Sequence, residues 1–184
     1  MDMITKERFF EALKLIPKTE IHLHTEALIS RQAVREILVK KDAKYRQEKE
    51  IEKLFSYQNL KGFIEAFLLV QSAFKTADDF KKLFQSIEPY LLRNGIEYAE
   101  LFFSPSLFVK NGFNFQEIMD IFIEEIKLIE KRTNIDVKVV VDVSRTFGVE
   151  NAMQNLDLTL KCGCKQIIGI GLGGDEIKGP AKDF

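Results

Sequence analysis

The sequence is poor in the features that mark secreted scaffolds and membrane proteins. It has two cysteines among 184 residues, and one residue separates Cys162 from Cys164. A disulfide across so short a span is not expected, and the lack of a disulfide framework favours a reducing compartment. The apolar runs fall short of the roughly 18 residues that a membrane span requires, and the N-terminus lacks the apolar core of a signal peptide. We therefore expect a cytoplasmic protein without a membrane partner.

The sequence also lacks an excess of charge of either sign. Its 27 Lys and Arg residues nearly balance 28 Asp and Glu residues, which leaves a net charge of -1. Such a balance gives no sign of a nucleic-acid partner. The apolar share of 46% and the charged share of 30% are typical of a globular protein. We expect a single domain, residues 1–184, with a core of its own.

Histidine is scarce as well, yet both copies lie together. His22 and His24 are two residues apart, and Ile21 and Leu23 alternate with them, which predicts a β-strand. On a strand, residues two apart point to the same face, so both imidazoles and then Glu26 would line one face. Imidazole is the commonest neutral ligand of zinc and similar metals. The alternative is a pair of ordinary histidines on a half-buried strand.

Strands and helices alternate along the rest of the chain. The pattern predicts further strands at 96–103, 136–143 and 167–172, and helices at 5–15, 30–41, 60–74, 77–93, from Asn114 onward, and at 149–160. This alternation predicts an α/β fold with a parallel sheet. The first connection is long enough to contain a helical insertion after strand 1.

The polar residues distinguish between two parallel-sheet topologies. An open nucleotide-binding sheet usually has a glycine-rich turn after its first strand, whereas here that position reads Thr-Glu-Ala. Ser104, Asp142 and Ser144 follow later strands at their C-terminal ends, where (β/α)8 barrels build their active sites. Because a barrel needs about 250 residues, four strands predict the N-terminal half of a TIM-type barrel. Exposed strand edges would then pair with a C-terminal half or with a second copy of the chain.

Three blocks, in the same order, resemble the adenosine deaminase family. Residues 17–26 (PKTEIHLHTE) resemble its opening strand, Pro-Lys-x-Glu-Leu-His-x-His-Leu-(Asp/Glu)-Gly. Residues 95–105 (GIEYAELFFSP) resemble its second-strand motif, which ends Arg-(Tyr/Phe)-(Ser/Ala)-Pro. Residues 168–176 (IGIGLGGDE) resemble its Gly-Ile-Asp-Leu-(Ala/Gly)-Gly-Asp-Glu segment. Residues 60–67 (LKGFIEAF) also resemble the helix that covers the family's substrate pocket.

The resemblance implies a zinc-dependent hydrolytic deaminase that converts adenosine and water to inosine and ammonia. It implies that His22 and His24 are ligands of one zinc ion, which lowers the pKa of bound water to about 7. Glu26 takes the place of the acidic residue that hydrogen-bonds the ribose. Gly174 takes the place of the glycine whose backbone N–H meets the purine. The resemblance implies an apolar wall over the base, formed by Leu60, Phe63, Ile64 and Phe67.

Four positions depart from the family pattern. Thr25 and Ala27 flank Glu26 where the family has leucine and glycine, Phe102 replaces the second-strand arginine, and Gly171 replaces an aspartate. The loss of an arginine and an aspartate together suggests that packing replaces a buried charge interaction, which need not cost stability. The changes leave two other substrates open, adenine and a modified adenosine.

The catalytic residues of the family lie in the second half of its barrel, so we expect none in this chain. The sequence contains no third histidine. We therefore predict that the isolated chain binds zinc weakly and has no deaminase activity. The alternative to an enzyme is a non-catalytic half-barrel that needs a partner. Bland roles also remain for three predicted groups: Glu26 as an exposed loop carboxylate, residues 173–174 as a plain turn, and the aromatic wall as ordinary core.

Overall fold

The sheet contains four parallel strands that follow each other in chain order. The computed structural model describes residues 5–174, 176–177 and 179–184, with Leu60 described by its backbone alone. The strands are β1 (Lys18–His24), β2 (Ile96–Phe103), β3 (Asp136–Ser144) and β4 (Ile167–Gly173). Their order in space is β1-β2-β3-β4, and all three pairings are parallel. A doubly wound sheet reverses its strand order at a switch point, whereas these strands run in one direction around the sheet, as in a barrel.

Every connection between strands contains helix. The helices are α1 (Lys6–Leu15), α2 (Arg31–Val39), α3 (Glu48–Leu54), α4 (Leu60–Ser72), α5 (Ala77–Phe84), α6 (Ile87–Asn94), α7 (Ser106–Lys110), α8 (Phe115–Thr133) and α9 (Gly148–Cys162). Short 3₁₀ turns are formed by Thr25–Leu28, Ala43–Arg46, Arg145–Phe147 and Ala181–Asp183. The stretch α2–α6 between β1 and β2 confirms the predicted helical insertion. Within the described ranges, no helix is both long and apolar enough to cross a membrane.

Side-chain caps begin several of these helices where the sequence predicts them. The hydroxyl of Thr5 accepts a hydrogen bond from the Arg8 backbone N–H at 3.3 Å. Ser30 does the same for Ala33 at 3.1 Å, and the Asn114 side chain accepts from Glu117 at 3.1 Å. Each cap satisfies an N–H that has no partner inside its helix, so these starts are determined locally.

Two helical expectations need correction. The predicted helix 77–93 is divided into α5 and α6, because Pro89 has no N–H to donate to the Gln85 carbonyl and its ring would clash there. The segment between β2 and Asn114 contains the additional helix α7, which was not predicted. With five residues, α7 is too short to show helical periodicity.

The two cysteines also differ from expectation. Cys162 and Cys164 form a disulfide across a Cα–Cα distance of 5.4 Å. Gly163 between them has a φ of +61°, and this left-handed conformation, which glycine adopts freely, turns the chain so that the two sulfurs meet. The prediction of unpaired thiols is therefore wrong. The cytoplasmic location that rested on it stays a prediction.

The hydrophobic core lies on one side of the sheet. Leu101, Phe103, Val139 and Val141 are fully buried and belong to the core cluster that they form with the helices. Because side chains alternate along a strand, their neighbours Phe102 and the others of the opposite face lie on the side that would be the interior of a barrel. The phenylalanines with almost no exposed surface all belong to the helix-side core: Phe80, Phe84, Phe103, Phe108 and Phe122. The opposite face carries the candidate site.

Candidate functional site

The two histidines lie side by side at the C-terminal end of β1. Their ring centroids are 5.2 Å apart and their ring planes are inclined by 49°. His22 is exposed and His24 is partly buried, while Leu23 between them is buried in the core. Burial lowers the pKa of His24; the charge of Asp142 opposes this shift, and that of His22 adds to it. A lowered pKa keeps the imidazole neutral near pH 7, the form in which it binds a metal.

The donor set fits half of a metal site. Two neighbouring imidazoles on one strand are a usual part of a zinc shell, which needs at least three protein ligands in a catalytic site. The part of the chain that the structure describes contains no group of three or more His, Cys, Asp or Glu side chains arranged to hold a metal ion. His22 and His24 would therefore hold such an ion only together with ligands from outside these residues.

Glu26 lies in a buried turn. The strand ends at His24, and Glu26 belongs to the 3₁₀ turn Thr25–Leu28. It therefore does not continue the face of the histidines along the strand, as the alternating pattern suggests, because the chain turns inward there. Its exposed fraction is 6%, and so it is not an exposed loop carboxylate.

The environment of Glu26 shifts its titration strongly. Oε1 accepts hydrogen bonds from the Ser104 backbone N–H at 2.7 Å and from Nε2 of Gln71 at 3.2 Å. Oε2 is buried and has no partner among the described residues. Burial, with a smaller contribution from the charge of Asp142, raises the pKa of Glu26 from 4.5 to about 7, against the hydrogen bonds, which lower it. Near neutral pH this group can therefore either accept or donate a proton.

An apolar cavity of about 120 Å³ opens beside Glu26. Phe63 and Phe67 of α4 line it together with Tyr57, with ring centroids 5.2 Å apart for Tyr57 and Phe63 and 5.9 Å apart for the two phenylalanines. Gln71 completes the polar end next to Glu26. The cavity thus combines aromatic walls with a carboxyl group at one end.

The outcome differs for the other two residues predicted to form the apolar wall, Ile64 and Leu60. Ile64 is 42% exposed and is not among the described residues that line the cavity. Leu60 begins α4, and its side chain lies outside the description.

Gly174 follows β4 in a conformation that requires glycine. Its φ is +102°, and a Cβ there would lie 3.2 Å from the Thr146 hydroxyl oxygen. Any other residue would be strained at this φ, so the backbone explains the glycine. Asp175, the next residue of the family-like block, lies outside the described residues.

Two partners of Glu26, the Gln71 side chain and the Ser104 backbone N–H, were not predicted from the sequence. A signal for Gln71 was present, since it follows Phe67 by four residues and Phe63 by eight on the same helix. That spacing places a single polar side chain on an apolar stripe. No local signal points to the Ser104 N–H, because its contact depends on how β2 aligns with the turn after β1.

Comparison with known proteins decides the family. The family model described as adenosine deaminase matches residues 17–184. The chain belongs to the adenosine deaminase family. An adenine deaminase of Mesorhizobium japonicum is 26% identical over 170 residues, which cover 91% of this chain and 51% of that protein. The chain spans about half the length of the curated relatives it matches.

Solved structures show the same fold. An amidohydrolase from Burkholderia ambifaria with bound zinc has a TM-score of 0.83 at 18% identity and covers 100% of this chain and 50% of its own. The apo N6-methyl-AMP deaminase from Arabidopsis thaliana has a TM-score of 0.75 at 21% identity, with coverage of 95% and 54%. At these identities the likeness concerns the fold alone. Together with the strand order, it identifies the α/β fold of the N-terminal half of a TIM barrel.

Proposed function

We propose that this chain, residues 1–184, forms the first half of the barrel of a metal-dependent deaminase that hydrolyses the amino group of an adenine ring. One observation carries the proposal: a neighbouring pair of imidazoles ends β1, and the next turn places a carboxyl group against an aromatic cavity. Membership of the adenosine deaminase family supports the reaction class. The second half of the barrel would complete the site, supplied by the same protein or by a partner that pairs with β1 and β4.

The metal that we assign to His22 and His24 is zinc, as in the amidohydrolase neighbour whose structure contains it. When bound, zinc lowers the pKa of a water molecule to about 7 and so provides hydroxide at neutral pH. The neutral state of His24, which burial favours, suits this ligand role. The proton donor and the remaining ligands would come from the second half of the barrel.

We favour adenine as the substrate over adenosine, which is the substrate that the family resemblance implies. The cavity lies directly beside Glu26 and is lined mainly by apolar side chains, which suits an aromatic ring. Aromatic walls at Phe63 and Phe67 would stack on that ring. The unpartnered Oε2 of Glu26 could accept the imidazole N–H that free adenine has and adenosine lacks. Relatives named adenine deaminase agree with this choice.

A modified adenosine is the second candidate, because an N6-methyl-AMP deaminase has the same fold. In a nucleoside or nucleotide, the same oxygen of Glu26 would accept from a sugar hydroxyl. Gly174 would present its backbone N–H to the purine in both cases, since a Cβ at that place would obstruct the approach.

The test is an ammonia-release assay of the full-length protein with adenine, adenosine, AMP and N6-methyl-AMP. We expect turnover of adenine to be fastest and His22→Ala to reduce it more than about 100-fold, since even changes around a metal ligand cost 10- to 100-fold. Phe63→Ala should raise KM for the purine, whereas Ile64→Ala, on the same helix but outside the cavity lining, serves as its matched control. The 184-residue chain alone should release no ammonia. No turnover of any of the four substrates by zinc-loaded full-length protein would refute the proposal.

A further inference from the structure

The imidazole of His22 lies flat against the ring of Phe102. The centroids of the two rings are 4.1 Å apart and their planes differ by 10°. His24 is paired in register with Phe102 across the sheet, yet its ring is tilted by 51° at 5.8 Å. Phe102 therefore stacks on His22, whereas its ring is tilted against that of His24.

Gly171 on β4 makes the space that this ring occupies. A Cβ at position 171 would lie 3.1 Å from Cε1 and 3.3 Å from Cδ1 of Phe102, and 2.5 Å from Oδ1 of Asp142. Real Cβ atoms essentially never approach another atom to 2.5 Å, so the Asp142 carboxylate would have to move, and the Phe102 ring would have to give way by a few tenths of an ångström. Phe102 and Gly171 are two of the four departures from the family pattern, and the structure brings them into contact. The aromatic ring thus fills space where the pattern has an arginine and an aspartate.

The stack replaces an interaction that metal-binding histidines normally have. Such a histidine nearly always donates its second ring N–H to a carboxylate, a carbonyl or water, and this bond fixes the plane of the ring. Among the described residues, no hydrogen bond to the imidazole of His22 is present, and its side chain is exposed. Without a further constraint, an exposed imidazole rotates about its terminal torsion, whose minima are broad.

We propose that Phe102 is the positioning residue for His22: its stacked ring, admitted by Gly171, fixes the plane of the imidazole. The orientation of His22 belongs to the metal-free chain and does not depend on the deaminase function; its value for zinc binding rests on the proposed function. An aromatic pair adds about 0.5–1.5 kcal/mol, so losing the stack should weaken zinc binding about 2- to 12-fold, at 1.4 kcal/mol for each factor of ten.

The experiment uses NMR spectroscopy of the metal-free 184-residue chain, whose two histidines give few and separable ring signals. We expect nuclear Overhauser contacts between the His22 and Phe102 rings, and His22 ring protons shifted upfield by the phenyl ring current. Phe102→Leu should remove the shift and average the His22 rotamers, while Phe102→Tyr should preserve both. Gly171→Ala should change the shifts of the His22 ring protons, whereas Gly169→Ala, two residues earlier on β4 with nothing within 4 Å of its added Cβ, should leave them unchanged.

Zinc titration of the full-length protein against a chelator then tests the consequence. We expect the wild type and Phe102→Tyr to bind zinc with equal affinity. Phe102→Leu should bind it more weakly by the factor given above. Absence of the ring-to-ring contact in the wild-type chain, which requires no variant to fold, would overturn the proposal. Equal zinc affinity of wild type and Phe102→Leu, including equal absence of binding, would overturn the link to the metal. A full-length protein that shows the ring stack but has no deaminase activity would instead count against the proposed function alone.

Discussion

Replacing Glu26 by glutamine is the sharpest test of the buried turn after β1. Glutamine has the same shape as glutamate and retains a carbonyl oxygen that can accept from the Ser104 backbone N–H and from Gln71. It cannot ionise. The substitution therefore removes one titrating group and leaves the surrounding contacts nearly as they are.

The size of the effect follows from the pKa of Glu26, which burial raises from 4.5 to about 7. One pKa unit corresponds to 1.36 kcal/mol, so the difference amounts to about 3 kcal/mol. The pKa is higher in the folded chain than in the unfolded chain, so the folded state binds more protons between these two values. This contribution to the free energy of unfolding is complete below pH 4.5 and is lost as the pH rises through 7.

The assay is urea unfolding of the wild-type chain and of Glu26→Gln between pH 5 and pH 8. Part of the contribution is already lost at pH 5, so we expect the wild type to lose about 2.5 kcal/mol relative to the variant over this range. The amide N–H₂ of the variant takes the position of the unpartnered Oε2, which adds a cost of about 1–3 kcal/mol. That cost does not depend on pH, so only the change of the stability difference with pH reports the titration of Glu26.

Two further features isolate the effect of Glu26. Burial also raises the pKa of Asp142, but Asp142 titrates in both proteins. Glu11→Gln on the exposed surface of α1 removes a carboxylate far from the site and serves as the matched control. A stability difference between wild type and Glu26→Gln that stays constant from pH 5 to pH 8 would refute the burial of Glu26.

Three further outcomes can be measured on the same chain. Gln71→Leu removes a hydrogen bond that lowers the pKa of Glu26, so that pKa should rise further, as followed by ¹³C NMR of the carboxyl group; an unchanged titration would contradict the contact. Gly174→Ala should destabilise the chain by about 1–2 kcal/mol in urea because its φ is positive, whereas Gly169→Ala should remain within about 0.5 kcal/mol. Phe84→Ala should cost about 3–5 kcal/mol, since it empties a fully buried aromatic site; a cost below 1 kcal/mol would place Phe84 outside the core.

Much of the fold could be predicted because it depends on local physics. The caps at Thr5, Ser30 and Asn114 act through hydrogen bonds to residues three positions away. The apolar run of β3 needed only the rule that a strand covered on both faces is apolar throughout. The strand order could be inferred because helical connections join consecutive parallel strands.

Errors arose where a local rule competed with another effect. Helical periodicity continues across residues 85–86, but Pro89 breaks the hydrogen-bond ladder there. The alternation His22, His24, Glu26 fits a strand, yet the chain turns into a 3₁₀ conformation and buries the glutamate.

In the candidate site, too, the local patterns could be predicted and the contacts between distant segments could not. The neighbouring imidazoles of His22 and His24 follow from the period of a strand, and the structure places them together. The contacts of Gln71 with Glu26 and of Phe102 with His22 join segments 45 and 80 positions apart in the sequence. Those contacts depend on how α4 and β2 dock against β1, and no pattern within either segment contains that information.

The two faces of the sheet have an evolutionary consequence. The fully buried phenylalanines belong to the helix-side core, whereas Phe102, Asp142 and the histidines belong to the opposite face. Residues of the helix-side core and residues that line the candidate site are therefore different members of the same strands. A lineage can exchange an arginine for Phe102 or an aspartate for Gly171 without repacking its core. The face that carries the candidate site can thus change in sequence while the backbone stays recognisable at identities near 20%.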